Sequence, residues 1–424
     1  MRTEGRTGAH GRMVARVQDT GISKADIVIV GGGPVGLALA SALADGLGPE
    51  ARIVVAEPQP FAGGNHAPDD DPRALAISAA SRHLLACVGA WDTVAPFAQP
   101  ITSIEITDSS LTDAFRPKLL GYDNRLDDGA PATHVLGDMR LRAALQDAVR
   151  RRASISVAEG ARVAALTTDS VQAAVSLSSG ATLHAPLVIA ADGSRSAVRD
   201  SAGIKVVRWD YGQVGIVTTV RLAKPHEGRA VQHFLPAGPF AVLPLRDDRA
   251  CITWSEDATR GAEIVRRDDA GFKDELERRF GTRLGDFELV AGRAWWPLNL
   301  QLARTYVSDR VALIGDAAHG VHPIAGQGVN LALRDVAALT EVLADSARSG
   351  MDLGSAQALE RYERWRRFDA TSAALAFDGL NRMFSSNSMW LRAARGVGLG
   401  LVDRMPGIKS YLVREAAGIT GELP

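Results

Sequence analysis

Apolar runs broken by glycine set the first elements. Ala25-Asp-Ile-Val-Ile-Val30 has strand composition, and Gly31-Gly-Gly-Pro-Val-Gly36 follows at once. Leu37 to Leu47 then reads as an Ala/Leu helix, and Arg52-Ile-Val-Val-Ala56 as a second strand ending at Glu57. The stretch from Ile27 to Ala44 carries no charge and is long enough to suggest a membrane span. The glycines and proline in its middle favour strand, turn and helix instead. Strand composition returns at Leu187–Ala190, before Asp192-Gly193, and at Arg310–Ile314, before Gly315-Asp316. Each is followed by a helix start, so three strand ends would meet at one crevice of a parallel sheet.

Between about Tyr211 and Asn299 the pattern becomes strand-rich. Candidate strands are Gly215–Leu222, Ala230–Leu235, Phe240–Leu245, Arg249–Ser255 and Phe287–Pro297, with one helix from Asp268 to Phe280. With Ile101–Thr107 they predict a mostly antiparallel sheet inserted into the first unit. An amphipathic helix from Asn330 to about Ala347 and a charged helix over residues 355–378 complete the chain's regular part. The expected class is α/β. A Rossmann-type dinucleotide domain (24–98, 133–205 and 300–350) carries an inserted β-sheet substrate domain (99–132 and 206–299). A C-terminal helical region (351–424) follows, and residues 1–23, Arg- and Gly-rich without an apolar core, read as a leader.

Composition narrows the function by exclusion. The formal net charge is −1 over 424 residues, so no general attraction to nucleic acid follows. Cys87 and Cys251 lie far apart without metal-ligand spacing and read as reduced structural residues of a cytosolic protein. His319 and His322 sit three apart, but no cysteine or carboxylate cluster completes a ligand set, so no metal is expected.

In the first unit, Gly31 permits the tight turn, Gly33 lets a pyrophosphate approach the backbone, and Gly36 allows close helix–strand packing. Glu57, 21 residues after Gly36, is placed to accept from the adenosine ribose. This segment alone leaves FAD and NAD both open. GGGPVG (31–36), ADGSRSAVR (191–199) and GDAAHGVHPIAGQGVN (315–330) together resemble the three FAD-contact segments of the flavin-dependent aromatic-ring hydroxylases, the fold of para-hydroxybenzoate hydroxylase. HPIAGQGVN (322–330), DPRALAIS (71–78) and GPFAVLPL (238–245) are similar, more narrowly, to the ubiquinone-biosynthesis hydroxylases of the UbiH/UbiF/VisC type. Ala332 departs from the glycine common there. Asp138 departs from Asn or Arg, which leaves His134 and Arg140 as substitute cofactor contacts.

The resemblance implies FAD as cofactor and NAD(P)H as co-substrate. Reduced flavin and O₂ would form a C4a-hydroperoxide that hydroxylates the ring of a prenylated phenol. It assigns Asp192, Gly193, Gly315 and Asp316 to the cofactor, Asp316 on the ribityl hydroxyls. Pro323, Gly326, Gln327, Gly328 and Asn330 would lie at the isoalloxazine, with the helix N-terminus toward its N1–C2=O edge. Arg73 is assigned to the pyrophosphate or the incoming nicotinamide nucleotide. No single catalytic side chain is expected; His322 and Gln327 are candidates by position, and His319 reads as structural. Phe240, Trp254, Trp295 and Trp296 are candidates for the ring pocket, with plain core as the competing reading. The tail interleaves Met383, Phe384, Met389, Trp390, Leu391 and Val397 with Arg382, Arg392, Arg395 and Arg404. It reads either as an intramolecular cover or as a peripheral contact with the membrane's inner face or a biosynthetic complex. Two other functions stay open, a hydroxylase of a soluble aromatic and a flavin-binding subunit without turnover. A bare NAD-dependent dehydrogenase leaves 191–199 and 315–330 unexplained.

Overall fold

The computed structural model describes residues 23–61, 71–108, 111, 118–281, 285–323, 326–384 and 403–419. The expected leader, apart from Ser23, and the tail residues from Met389 to Val402 lie outside them.

A six-stranded sheet holds the first unit. Its order is Val307–Ser308, Val311–Leu313, Leu187–Ala190, Ile27–Val30, Ile53–Glu57, Ile155–Glu159. All neighbours are parallel except the first pair. The central strands are apolar at every position because both faces are buried, as parallel sheets require. The helix Pro34–Leu47 crosses from the first strand to the second and packs on the helices Gly328–Arg348 and Asp138–Arg150. A three-stranded meander, Val163–Thr168, Ala173–Leu177 and Thr182–Ala185, adds Val175 and Leu183 to the same core.

The strand-rich region forms an eight-stranded sheet. Its order is His319–Gly320, Phe287–Ala303, Val206–Leu222, Arg249–Asp257, Gly238–Leu245, Arg229–Leu235, Ser103–Asp108, Lys118–Asp123. It is antiparallel except where Arg229–Leu235 runs parallel to Ser103–Asp108. Alternation divides its two faces. Val214, Ile216, Phe240, Ile252 and Trp254 pack under two helices through Ile264, Phe272 and Leu276. On the opposite face, Thr219 and Cys251 bond to the Pro72 carbonyl, each at 3.5 Å, just before the strand Ala74–Ser78. Ala74–Ser78 forms a further three-stranded sheet with Thr133–Gly137 and Gln99–Pro100, so that second face is turned toward this small sheet, whose first strand Asn330 bonds through Ser78 and Ala76.

Sequence pattern and structure differ in two places here. One helix was expected, but Ala258–Arg266 precedes Asp269–Phe280. Asp257 caps the first by accepting from Thr259 and Arg260 N–H, a start signal hidden by a glycine-containing sequence. Val206–Leu222 and Phe287–Ala303 also run farther than their apolar cores, 17 residues each, through exposed polar positions.

The C-terminal part begins with a 29-residue helix, Ala356–Phe384, buried along Leu359, Tyr362, Arg366, Ala370 and Ala374. The terminal helix Pro406–Ala416 returns to the body, where Val413 and Ala417 bury against Ala79 and Ala132. Lys409 donates to the Gly121 carbonyl at 3.0 Å, which ties that helix to the antiparallel sheet. Among the described residues no helix is long and apolar enough to cross a membrane.

Candidate active site

The first loop is built by glycines that have no substitute. Gly31 has φ +111°, and a Cβ there would stand 2.3 Å from the Ala191 carbonyl oxygen of the neighbouring strand's loop. A Cβ on Gly36 would stand 2.0 Å from the Gly31 oxygen, so helix and turn touch through backbone. Gly33 differs: a Cβ there meets nothing within 4 Å, so the loop is open on that side. The helix starts at Pro34 with glycine as its N-cap and no acid in its first turn. Its free N–H groups suit an anion. Glu57 is buried, and its carboxylate is already engaged. It accepts from Gly32 N–H at 2.5 Å and Gln59 N–H at 3.0 Å, and Arg142 stands 3.4 Å away. The expected ribose acceptor thus also braces the loop that would hold the phosphates.

The second loop begins at Asp192. One carboxylate oxygen accepts from Ala197 and Val198 N–H, at 2.8 and 3.4 Å. The other is buried without a partner among the described residues. Burial pushes this carboxyl's pKa up, against the hydrogen bonds that favour its charged form. Gly193 takes φ +81°.

The third loop begins at Gly315 (φ +58°). Asp316 is open to solvent yet set in a concave crowd of protein atoms. Desolvation raises its carboxyl pKa while His319 and Arg73 pull it down. Gly326, at φ +65°, lies against Ala76 with room for a Cβ only 3.1 Å away. The helix Gly328–Arg348 starts two residues before Asn330, with Gln327 as N-cap and no side-chain cap bond. Pro323, Gln327 and Gly328 are half-buried beside it, and Ile324 and Ala325 lie outside the described residues.

Residues that carry no motif lock these loops together. Gln301, buried between His319–Gly320 and Val206–Leu222 in the antiparallel sheet, donates to the carbonyls of Ser194 at 2.9 Å and Asp316 at 3.4 Å. Arg199 donates to the Ser194 and Ala317 carbonyls. Asp335, wholly buried, accepts from Gly315 N–H, His319 and Arg366 at 2.9, 2.5 and 2.8 Å. Burial alone would raise its carboxyl pKa, but His319 and Arg366 hold it below the ordinary value. His319 thus finds its partner in buried Asp335.

Other expected site residues fall in different places. Asn330 does not offer its amide to a cofactor: it accepts from Ser78 N–H and donates to the Ala76 carbonyl and to Gln327. It pins the 71–78 segment to the third loop. Arg73 is half-exposed, 3.8 Å from Asp138 and 5.3 Å over the Trp296 ring, and its charge reaches Asp316. His134 pairs with Ile77 and packs edge-on against Trp91, on the strand face opposite Ala76 and Gly326. Burial, with Arg82 and Arg246 nearby, pushes its pKa down to about 4. The structure therefore does not bring His134 to the loops. Phe240 and Trp254 sit on the helix-covered face, Trp254 stacked on Phe272, so they are core. Trp295 points to that same side and is exposed, and only Trp296 shares a face with Arg73.

His322 is buried, and neither ring nitrogen has a partner among the described residues. Each unmet polar atom costs roughly 1–3 kcal/mol, so nothing in the fold alone justifies it. Burial pushes its pKa down to about 4, against the pull of Asp378.

Three glycine-bearing loops thus gather at the ends of neighbouring parallel strands, with Arg73 reaching from the 71–78 segment toward Asp316. Residues 24–375 match the family described as FAD binding domain. The chain belongs to that family.

Within this FAD family it is similar to ubiquinone hydroxylase UbiL of Rhodospirillum rubrum, 40% identical over 93% of this chain and 90% of the relative. The 3-demethoxyubiquinol 3-hydroxylase of Escherichia coli is 35% identical over 93% and 98%. The ubiquinone biosynthesis monooxygenase COQ6 of Danio rerio is 32% identical over 92% and 89%. The chain is thus a member of the ubiquinone-biosynthesis hydroxylases. Two solved structures share the fold at 20% identity. p-Nitrophenol 4-monooxygenase of Pseudomonas putida has a TM-score of 0.77 and covers 95% and 100% of the two chains. HpxO of Klebsiella pneumoniae, complexed with FAD and uric acid, has a TM-score of 0.73 over 93% and 96%. The residues fit FAD: Gly33 leaves room for a pyrophosphate at an uncapped helix, and Asp192 offers a buried acceptor with no protein donor.

Proposed function

We propose that this protein is an FAD-dependent monooxygenase that hydroxylates the aromatic ring of a prenylated phenol in ubiquinone biosynthesis, using NAD(P)H and O₂. One observation carries the reading. The first loop abuts the second where Gly31 meets Ala191, and Gln301 and Arg199 join the second to the third, so all three gather at the ends of neighbouring parallel strands. The names of the relatives support the substrate class.

Bound FAD supplies the electron transfer and the oxygen activation. Gly31, Gly33 and Gly36 would admit its pyrophosphate to the helix N-terminus, Glu57, which steadies that loop, would meet the ribose, and Asp192 and Gly193 would hold the next stretch. Gly315 and Asp316 would take the ribityl chain, and Pro323, Gly326, Gln327 and Gly328 would border the ring, the glycines leaving it room. Arg73, beside Asp316 and Trp296, is suited to the nicotinamide nucleotide or to the pyrophosphate. Val217, Thr219, Ala241, Leu243 and Thr253 share the sheet face above and would wall off water from the phenol. In this division 24–98, 133–205 and 300–350 bind cofactor, while 99–132 and 206–299 shape the substrate pocket. The described residues of 351–424 brace the body.

The test is NAD(P)H oxidation under air. A short-chain prenylphenol should accelerate it and yield a hydroxylated ring. A soluble phenolic acid that does better would shift the reading to that substrate class, and no stimulation by any phenol would sink it.

A peripheral membrane contact is part of the proposal. The helix Ala356–Phe384 exposes Phe368 (80%) and Leu375 (54%), one heptad apart, near exposed Arg364 and Arg367. Replacing Phe368 and Leu375 by serine should lower co-sedimentation with anionic vesicles without reducing FAD content; unchanged sedimentation would dismiss the contact.

A further inference from the structure

His322 joins the third loop to the antiparallel sheet, and its surroundings are polar on one side. Its ring stands edge-on to Tyr211, centroids 5.2 Å apart at 78°. Tyr211 lies in the irregular stretch between Asp210 and Gln213, where Val206–Leu222 slips register against its neighbour. Such bulges re-aim side chains at the rim of a site. Behind Tyr211 stands Asp378 of the long C-terminal helix. It accepts from the Trp209 indole at 3.2 Å and from Arg382 at 2.9 Å, and its charge reaches His322. Two residues along the strand, Gln213 bonds to the Ala237 carbonyl and to Asn381. Trp209, Asp378, Arg382, Gln213 and Asn381 bond to one another or to backbone, while both ring nitrogens of His322 are buried without a partner among the described residues.

An imidazole held this way is uncharged and offers one donor and one acceptor at fixed positions. A fully buried histidine that served packing alone would bond at least one nitrogen, as His319 does with Asp335. His322 directly precedes Pro323 and the Gly326–Gly328 turn, so it sits where the flavin loop meets the substrate sheet. Resting on the function proposed above, we propose that His322 is a substrate-binding residue: it accepts the hydrogen bond of the phenol's ring hydroxyl and so fixes the ring's orientation beside the flavin. Asp378 favours that polarity, because hydrogen drawn toward the imidazole moves toward a negative charge. Drawing the hydroxyl hydrogen away also enriches the ring in electrons, which an electrophilic hydroxylation requires. The preference therefore falls on phenols over ring ethers of the same shape.

The experiment uses the FAD-loaded protein. A short-chain prenylphenol and its O-methyl ether are titrated in, and binding is followed by perturbation of the flavin absorption. Wild type should bind the phenol roughly tenfold or more tightly than the ether. His322→Phe, which keeps the edge-on contact with Tyr211, should retain FAD and lose that preference, and His322→Asn should restore part of it. Equal binding of phenol and ether by wild type, or a preference that survives His322→Phe, overturns the proposal. Should His322→Phe fail to fold, the wild-type comparison and His322→Asn decide alone. If phenol-stimulated turnover is present while the preference ignores His322, only this assignment fails. If no phenol stimulates turnover, the functional reading fails first.

Discussion

Single residues already separate fold from chemistry in the first loop. Gly36 abuts backbone, so Gly36→Ala should give insoluble or FAD-free protein, because the Gly31 peptide cannot move aside. Gly33→Ala has open space and should fold with wild-type thermal stability while holding FAD more weakly, as judged by flavin lost on gel filtration. Equal behaviour of the two variants would contradict the assignment of the open side to the pyrophosphate. His322 gives a pH signature. Its folded pKa, about 4, lies below the ordinary value of 6.5, so between these pH values the unfolded chain binds more protons and acid favours unfolding. His322→Phe removes that linkage. Its stability relative to wild type should rise by up to ~1.4 kcal/mol per pH unit as pH falls from about 6.5 to about 4. A difference independent of pH in denaturant melts would mean that the imidazole is not held neutral. The glycines were legible in the sequence because spacing alone demands them. His134, Asn330 and the ring-pocket aromatics were not, because a side chain's facing depends on strand register: His134 pairs with Ile77 and so turns from Ala76.

At the scale of elements, the cleft depends on braces between segments far apart in sequence. Asp335 couples the Gly315 turn, the His319 ring and Arg366 of the long helix. Asp335→Asn leaves buried Arg366 with only Asp369 as a carboxylate partner. Breaking a buried pair costs about 3–5 kcal/mol, and the low end applies here because Asp369 remains. Denaturant unfolding should show that loss, and FAD retention should fall with it; a change under about 1 kcal/mol would deny the brace. The motif at 315–330 was visible from residue types, but Gln301, Arg199 and Asp335 were not. Gln301 sits on a long strand whose polar positions looked like the end of a strand, and nothing local marks a glutamine that bonds two distant carbonyls. The missed helix Ala258–Arg266 has the same cause, since its packing on Val214 and Ile216 comes from strands more than forty residues earlier.

For the whole molecule, the α/β class followed from periodicity. Wholly apolar strands need cover on both sides, and alternating ones need a single buried face. The antiparallel sheet meets the segment before Ala74–Ser78 through Thr219 and Cys251, which bond to the Pro72 carbonyl, and the proposed substrate face follows from that contact. Which face that would be could not be read from the chain, because inner and outer positions alternate identically on both faces. The near-zero charge gives the molecule no general attraction to nucleic acid, and the exposed apolar positions of the long helix are what the proposed membrane contact rests on.

The most direct test is isotopic. FAD-loaded protein is given NADPH, a short-chain prenylphenol and ¹⁸O₂ in ordinary water, and the ring product is weighed by mass spectrometry. One ¹⁸O atom in the new hydroxyl is the predicted result. A product whose new oxygen comes from water, or NADPH consumed only to make hydrogen peroxide with every phenol supplied, would contradict the account.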